Sequence, residues 1–89
     1  MKQSYLEITF RRGKPFAAYL YLPRGADAKS VRTIEARPNV LVDYATDGSP
    51  IGIEILAPSE VDATVINAVL GELKLAPMPD CDLAPLRAA

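Results

Sequence analysis

The stretch that most constrains this chain runs from Leu41 to Leu56 and reads LVDYATDGSPIGIEIL. An Asp-Gly pair, Asp47-Gly48, stands between two runs rich in β-branched residues. That is the pattern of a β-hairpin, because Gly accepts the positive φ that a tight turn needs. Parity then sets the register. With Asp47 and Gly48 as the two loop residues, Tyr44 faces Ile51, Val42 faces Ile53 and Val40 faces Ile55. All six apolar side chains share one face. A slip by one residue sets Val42 against Gly52 and scatters the apolar set, so that register loses. The opposite face takes Leu41, Asp43, Gly52, Glu54 and Leu56. Asp43 sits across from Gly52, with Glu54 diagonal to it.

Two more alternating runs precede the hairpin. From Tyr5 to Arg11, Leu6, Ile8 and Phe10 point one way, while Tyr5, Glu7 and Thr9 point the other. From Phe16 to Leu22, Phe16, Ala18, Leu20 and Leu22 oppose Ala17, Tyr19 and Tyr21. A three-residue turn at Arg12-Gly13-Lys14 aligns Phe10 with Phe16 and Ile8 with Ala18, which matches the apolar faces. A loop from Pro23 to Ser30 contains Gly25. Val31 to Arg37 is a third, more charged strand, and Pro38-Asn39 turns it into the fourth.

A helix is expected from Ser59 to about Leu75. Ser59 is a suitable N-cap, with Asp62 three residues on. Val61, Val65, Val69 and Leu73 recur every four residues, and Ile66 and Leu70 widen the stripe. Glu60, Thr64, Asn67, Gly71 and Lys74 fall on the opposite side. Pro77, Pro79 and Pro85 then preclude a regular helix. The expected fold is therefore α+β. It is an antiparallel β-meander of about five strands with one C-terminal helix packed on one face. Residues 1–76 form the domain, and residues 77–89 form a proline-containing tail, extended or partly disordered.

Composition narrows the function. Eighty-nine residues make one domain with one thin core. A net charge of −1 gives no electrostatic case for nucleic acid or an anionic membrane. No apolar run approaches membrane-spanning length, and the first residues lack the apolar region of a secretory leader. The single Cys81 has no partner for an internal disulfide, so a cytoplasmic protein is expected. The chain has no His, which removes Ser-His and Cys-His dyads and any His-ligated metal site. No cofactor or metal is expected.

The hairpin also resembles a known family. Small prokaryotic proteins of the family called domain of unknown function 2283 end their sheet in a similar hairpin. A V-D-Y-D-x-D-G strand end is followed by G-I-E-I-L. The matching residues here are Val42, Asp43, Tyr44, Asp47, Gly48, Gly52, Ile53, Glu54, Ile55 and Leu56. Ala18-Tyr19-Leu20 is similar to the family's A-L-Y-I strand, and Phe16 stands where relatives usually carry Asp. The resemblance covers roughly residues 5 to 60. It implies a fold and no activity. Some relatives look like members of toxin–antitoxin gene pairs, which implies a protein partner.

Each candidate site has a plain reading beside a chemical one. Asp43 and Glu54 could form a paired-carboxylate site for metal or acid–base work, with Glu35 as a third member. The plainer reading places them on a solvated sheet face, or has them take hydrogen bonds from a partner chain. Asp47, Gly48 and Gly52 are read as structural turn residues, and turn chemistry explains Asp47. Arg11, Arg12 and Lys14 could bind phosphate, but a solvated hairpin tip needs less, since no Gly-rich cradle follows. Cys81 lies between Asp80 and Asp82, which disfavour its thiolate. Tyr5, Tyr19 and Tyr21 gather on the face away from the helix. With Leu41 and Leu56 they read as an interaction surface for a homodimer or a protein partner. A non-enzymatic interaction module, antitoxin-like or regulatory, is thus the first reading. A small ligand- or metal-binding protein or enzyme using Asp43 and Glu54 is the alternative.

Overall fold

The computed structural model describes residues 4–23 and 29–87. Gly25 lies outside the described residues, and so do the side chains of Asp80 and Cys81. Five antiparallel strands form one sheet: β1 (Tyr5–Arg11), β2 (Lys14–Tyr21), β3 (Arg32–Arg37), β4 (Val40–Tyr44) and β5 (Pro50–Ile55). Their order across the sheet is β1-β2-β5-β4-β3. Consecutive strands pair everywhere except between β2 and β3. The fold is a β1–β2 hairpin joined edge to edge with a β3–β4–β5 meander. Joining them this way puts β5 in the centre, where its apolar IGIEI run is shielded on both sides.

The expected face pairing holds away from the turns. Ile8 faces Ala18, Leu20 faces Ile53, Val42 faces Ile53, and Val40 faces Ile55. Ala18, Leu20, Leu22, Val40, Val42, Ile53 and Ile55 are buried on the helical side, and Ile8 is partly buried against them. Near each hairpin turn, however, one strand carries an extra residue. Arg12 and Gly13 form a two-residue turn, with φ of +55° and +78°, the combination of a type I′ hairpin. The three-residue turn expected there would have paired Phe10 with Phe16. Instead Phe10 pairs with residue 15, and Phe16 is a bulge. Both rings run past the core and are 54% and 51% exposed.

The Asp47-Gly48 hairpin shows the same effect. Its loop holds three residues, Thr46, Asp47 and Gly48, rather than two. The Gly48 amide donates to the Ala45 carbonyl at 2.9 Å, and the Ala45 amide to the Ser49 carbonyl at 2.8 Å. Gly48 takes φ +88°, the left-handed position that closes such a loop. Asp47 Oδ1 accepts from the Ser49 hydroxyl at 2.6 Å and the Ser49 amide at 2.9 Å. Those bonds, the hydroxyl's foremost, hold the Asp47 carboxyl below its usual range. The longer loop is offset by a bulge at Ile51, so Tyr44 pairs with Pro50 and not with Ile51. In β3 the extra residue is Ala36.

The helix is shorter than expected. Pro58–Glu60 is a 3-10 turn, and α1 runs only from Ala63 to Glu72. Asp62, not Ser59, is the N-cap. Its side chain accepts from the Val65 amide at 3.0 Å. Pro58 lets the chain begin as a 3-10 turn, and the extended backbone at Val61 and Asp62 ends it. Ile66, Val69 and Leu70 are the buried stripe, with Val65 and Leu73 half-buried beside it. At the C-terminus the Leu75 amide reaches the Leu70 carbonyl at 2.9 Å and the Lys74 amide the Gly71 carbonyl at 3.0 Å. This Schellman closure puts Lys74 at φ +61°. Lys74→Gly should therefore raise stability by about 0.5–1 kcal/mol, read from the urea midpoint.

Residues 77–87 are not a free extended tail. Asp80–Leu83 form α2, and a 3-10 turn follows from Ala84 to Arg87. Met78, Leu83 and Leu86 enter the same core cluster as α1 and the sheet. The three prolines exclude a long helix but not these short turns. One side chain docks the segment. The Met78 amide donates to Asn67 Oδ1 at 2.8 Å, and Asn67 Nδ2 donates to the Met78 carbonyl at 3.2 Å. Asn67, expected on the solvated side of the helix, thus replaces a strand partner. Asn67→Ala should cost about 1–2 kcal/mol by leaving both backbone groups unmatched. Hydrogen exchange should show protection lost first over residues 78–87.

Opposite this anchor, Arg37 at the end of β3 ties the sheet to α1. Its guanidinium donates to both carboxylate oxygens of Glu72 and to the Ala36 carbonyl. The bond from Arg37 holds the Glu72 carboxyl below its ordinary value and raises Arg37 above its own.

Candidate functional site

The helical layer covers one face of the sheet. The other face carries a side-chain network that joins β1, β2, β3 and β4 and passes over β5. Its centre is Asp43 on β4. Alternation points Asp43 away from the helices, and the expectation was a solvated carboxylate. The structure buries it to 9% exposure. Two hydroxyls do this. Tyr19 Oη on β2 donates to Asp43 Oδ2 at 2.7 Å, and Thr33 Oγ1 on β3 donates to Oδ1 at 2.6 Å. Hydrogen bonds of this length to an ionised acceptor are the stronger kind.

Tyr19 and Asp43 stand on strands that are not neighbours. β5 runs between them, and the tyrosine ring must cross it. It crosses at Gly52, which pairs with Asp43 on one side and Tyr21 on the other. A Cβ on Gly52 would lie 1.9 Å from Tyr19 Oη and 2.3 Å from its Cζ. Gly52 is therefore not a turn residue. It is the gap through which the ring passes, the meaning of Gly inside a strand where another group approaches closely.

The network continues towards β1. Tyr21 packs edge-on against Tyr19, with centroids 4.7 Å apart and planes at 68°. Tyr5 stacks on Tyr21 at 4.5 Å and 15°. Tyr21 Oη donates to Glu7 Oε1 at 3.1 Å. Both ring geometries are favourable ones. The three tyrosines expected to gather on this face are thus one contiguous array. Glu54 pairs directly with Tyr19 across the strands and remains half-buried. Leu41 faces both Glu54 and Glu35 on its neighbouring strands.

This arrangement bears on the paired-carboxylate chemistry. Both Asp43 oxygens are occupied by hydroxyl donors, so the carboxylate acts as a receiver that orients Tyr19 and Thr33. Asp43→Asn should cost about 1–2 kcal/mol in denaturant melts, because one charged acceptor is lost. Among the described residues, no group of three His, Cys, Asp or Glu side chains comes together as a metal cluster would. Thr33 is the partner that sequence reasoning missed. The signal for Gly52 was present, a lone glycine in a β-branched run.

The cationic hairpin tip lies elsewhere. Arg11, Arg12, Lys14 and Phe16 line an open depression of about 720 Å³. The Arg11 guanidinium sits 4.7 Å above the Phe16 ring, a cation–π contact. All four side chains are exposed. Among the described residues, no carboxylate of the tyrosine face lines this depression.

Comparison with known proteins gives one result. Residues 17–59 match a family described as protein of unknown function, DUF2283. The match takes in Tyr19, Tyr21, Thr33, Asp43, Gly52 and Glu54, and leaves β1 and the helical layer outside it. No curated protein and no solved structure matches the chain. Among the described residues no helix is long and apolar enough to cross a membrane.

Proposed function

With a DUF2283 segment spanning most of four of its five strands as the premise, we propose that this chain is a non-enzymatic protein-interaction module. Its working surface is the tyrosine face, and its partner there is a basic protein segment. The observation that carries this reading is the composition of the face. Stacked tyrosines lie among Glu7, Glu35 and Glu54, and the cations Arg11 and Lys14 pair at the far end of the β1–β2 hairpin. Tyrosine on a fixed strand offers contact area at small entropic cost, and its ring face accepts cations. Surrounding carboxylates select against acidic partners and steer basic ones.

The same charges argue against a homodimer through this face. Packing it on its own copy would set Glu7, Glu35 and Glu54 near their symmetry mates. A regulatory or antitoxin-like role would consist of occupying the partner's basic surface. The test is affinity capture with the tagged chain, set beside a Glu35→Lys, Glu54→Lys variant shown folded by circular dichroism. A partner held by the wild type, released by salt and lost in the variant supports the reading. Equal capture by both chains overturns it.

A further inference from the structure

The sheet has two edges, and they are built differently. β3 is guarded. It carries a bulge at Ala36, three charged residues in six, and Pro38 immediately after it. Those are the devices by which native edges avoid pairing. β1 is less guarded, with only Glu7 and Arg11 charged. Its seven residues contain no Pro, no Lys and no extra residue of their own, since the β1–β2 bulge lies on β2. Among the described residues, no strand pairs with its outer edge.

We propose that β1 pairs antiparallel with β1 of a second copy of this chain, with Ile8 on the two-fold axis. The sequence of β1 is self-complementary in that register. Side chains directly across an antiparallel pair share a face, so the pairing must join residues of like parity. On the helical face Ile8 then meets Ile8, and Leu6 meets the exposed Phe10. On the tyrosine face Glu7 meets Thr9, and Tyr5 meets Arg11, a cation beside a ring that is 49% exposed in the single chain. The neighbouring registers are poorer. Centring on Glu7 sets two carboxylates together. Centring on Thr9 sets Glu7 against Arg11 and Ile8 against Phe10 but runs Leu6 and Tyr5 into the turn at Arg12 and Gly13, so only five of the seven residues pair within the strand. The chosen register covers Phe10 and the half-buried Leu6 and Ile8, which the helical layer leaves at the edge.

The two sheets become one, and both tyrosine faces lie on the same side. A two-fold contact of this kind needs only one self-complementary patch. The pairing is made by the backbone edge of β1, with Tyr5, Glu7 and Arg11 bordering the face as well, and it does not rest on the partner reading above.

Sedimentation equilibrium of the full chain tests it. The wild type should weigh twice 9.6 kDa. Thr9→Glu places a carboxylate against Glu7 twice per dimer and should raise the dissociation constant roughly tenfold or more. Adding Glu7→Lys to Thr9→Glu should restore the dimer by exchanging the charges. Thr9→Lys alone should tighten it, which provides a second arm should Thr9→Glu fail to fold. A wild type that stays monomeric up to about 1 mM overturns the proposal. So does a dimer indifferent to both Thr9 changes, or a folded charge-exchanged variant that does not reassociate.

Discussion

Ile53→Ala should lower the unfolding free energy by roughly 2–5 kcal/mol, the range for truncating a buried branched side chain. Ile53 is fully buried on β5, the central strand, with Leu20 across from it on one side and Val42 on the other. Neither neighbour can move into the space without leaving its own ladder. The loss is large for a chain of this length, whose whole stability is on the order of 5–13 kcal/mol. Urea melts should show a lower midpoint with an unchanged slope. A cost below about 1 kcal/mol would mean that Ile53 does not lie beneath the helical layer.

Gly52→Ala should cost about 2–3 kcal/mol, although Ala is ordinarily the better residue inside a strand. The added methyl meets the Tyr19 ring, whose Cε2 would be 2.5 Å away. The ring must lift, and its hydrogen bond to the Asp43 carboxylate breaks. A hydrogen bond to a charged group is worth about 1.5–3 kcal/mol, and the ring's contact with Tyr21 is disturbed besides. The double-mutant cycle is the decisive measurement. In a Tyr19→Ala background the same Gly52→Ala change should be neutral or stabilising by about 0.5–1 kcal/mol, since only the glycine entropy remains. Additive costs would show that Tyr19 does not lie across Gly52.

How much of this was legible in the chain depends on the range of the interaction involved. Parity along a strand is local. Tyr5–Arg11 could therefore be placed to the residue, and Val40, Val42, Ile53 and Ile55 could be assigned to the core side. The same parity put Tyr5, Tyr19 and Tyr21 together. The bulges at Phe16, Ala36 and Ile51 were not legible, because each corrects a mismatch between a turn and the ladder beyond it. One residue of slip is invisible until both strands are in place. Asp43 illustrates the limit more sharply. Its face was correct and its solvation was not. Burial came from Thr33 and from a tyrosine two strands away, passing over Gly52.

What the sequence by itself determined is the period-2 pattern, and with it an antiparallel sheet having one apolar face and one tyrosine- and carboxylate-bearing face. Only the tertiary structure decided how those faces are covered. A ten-residue helix is about 15 Å long and about 10 Å wide, enough for roughly two strands of five. The apolar side chains of β1 and β2 remained to be covered, and burying them outweighs the entropy of ordering a proline-containing segment. Met78, Leu83 and Leu86 therefore fold back, with Asn67 as their anchor. On the other face no layer arrives among the described residues, and Tyr19 and Thr33 cover Asp43.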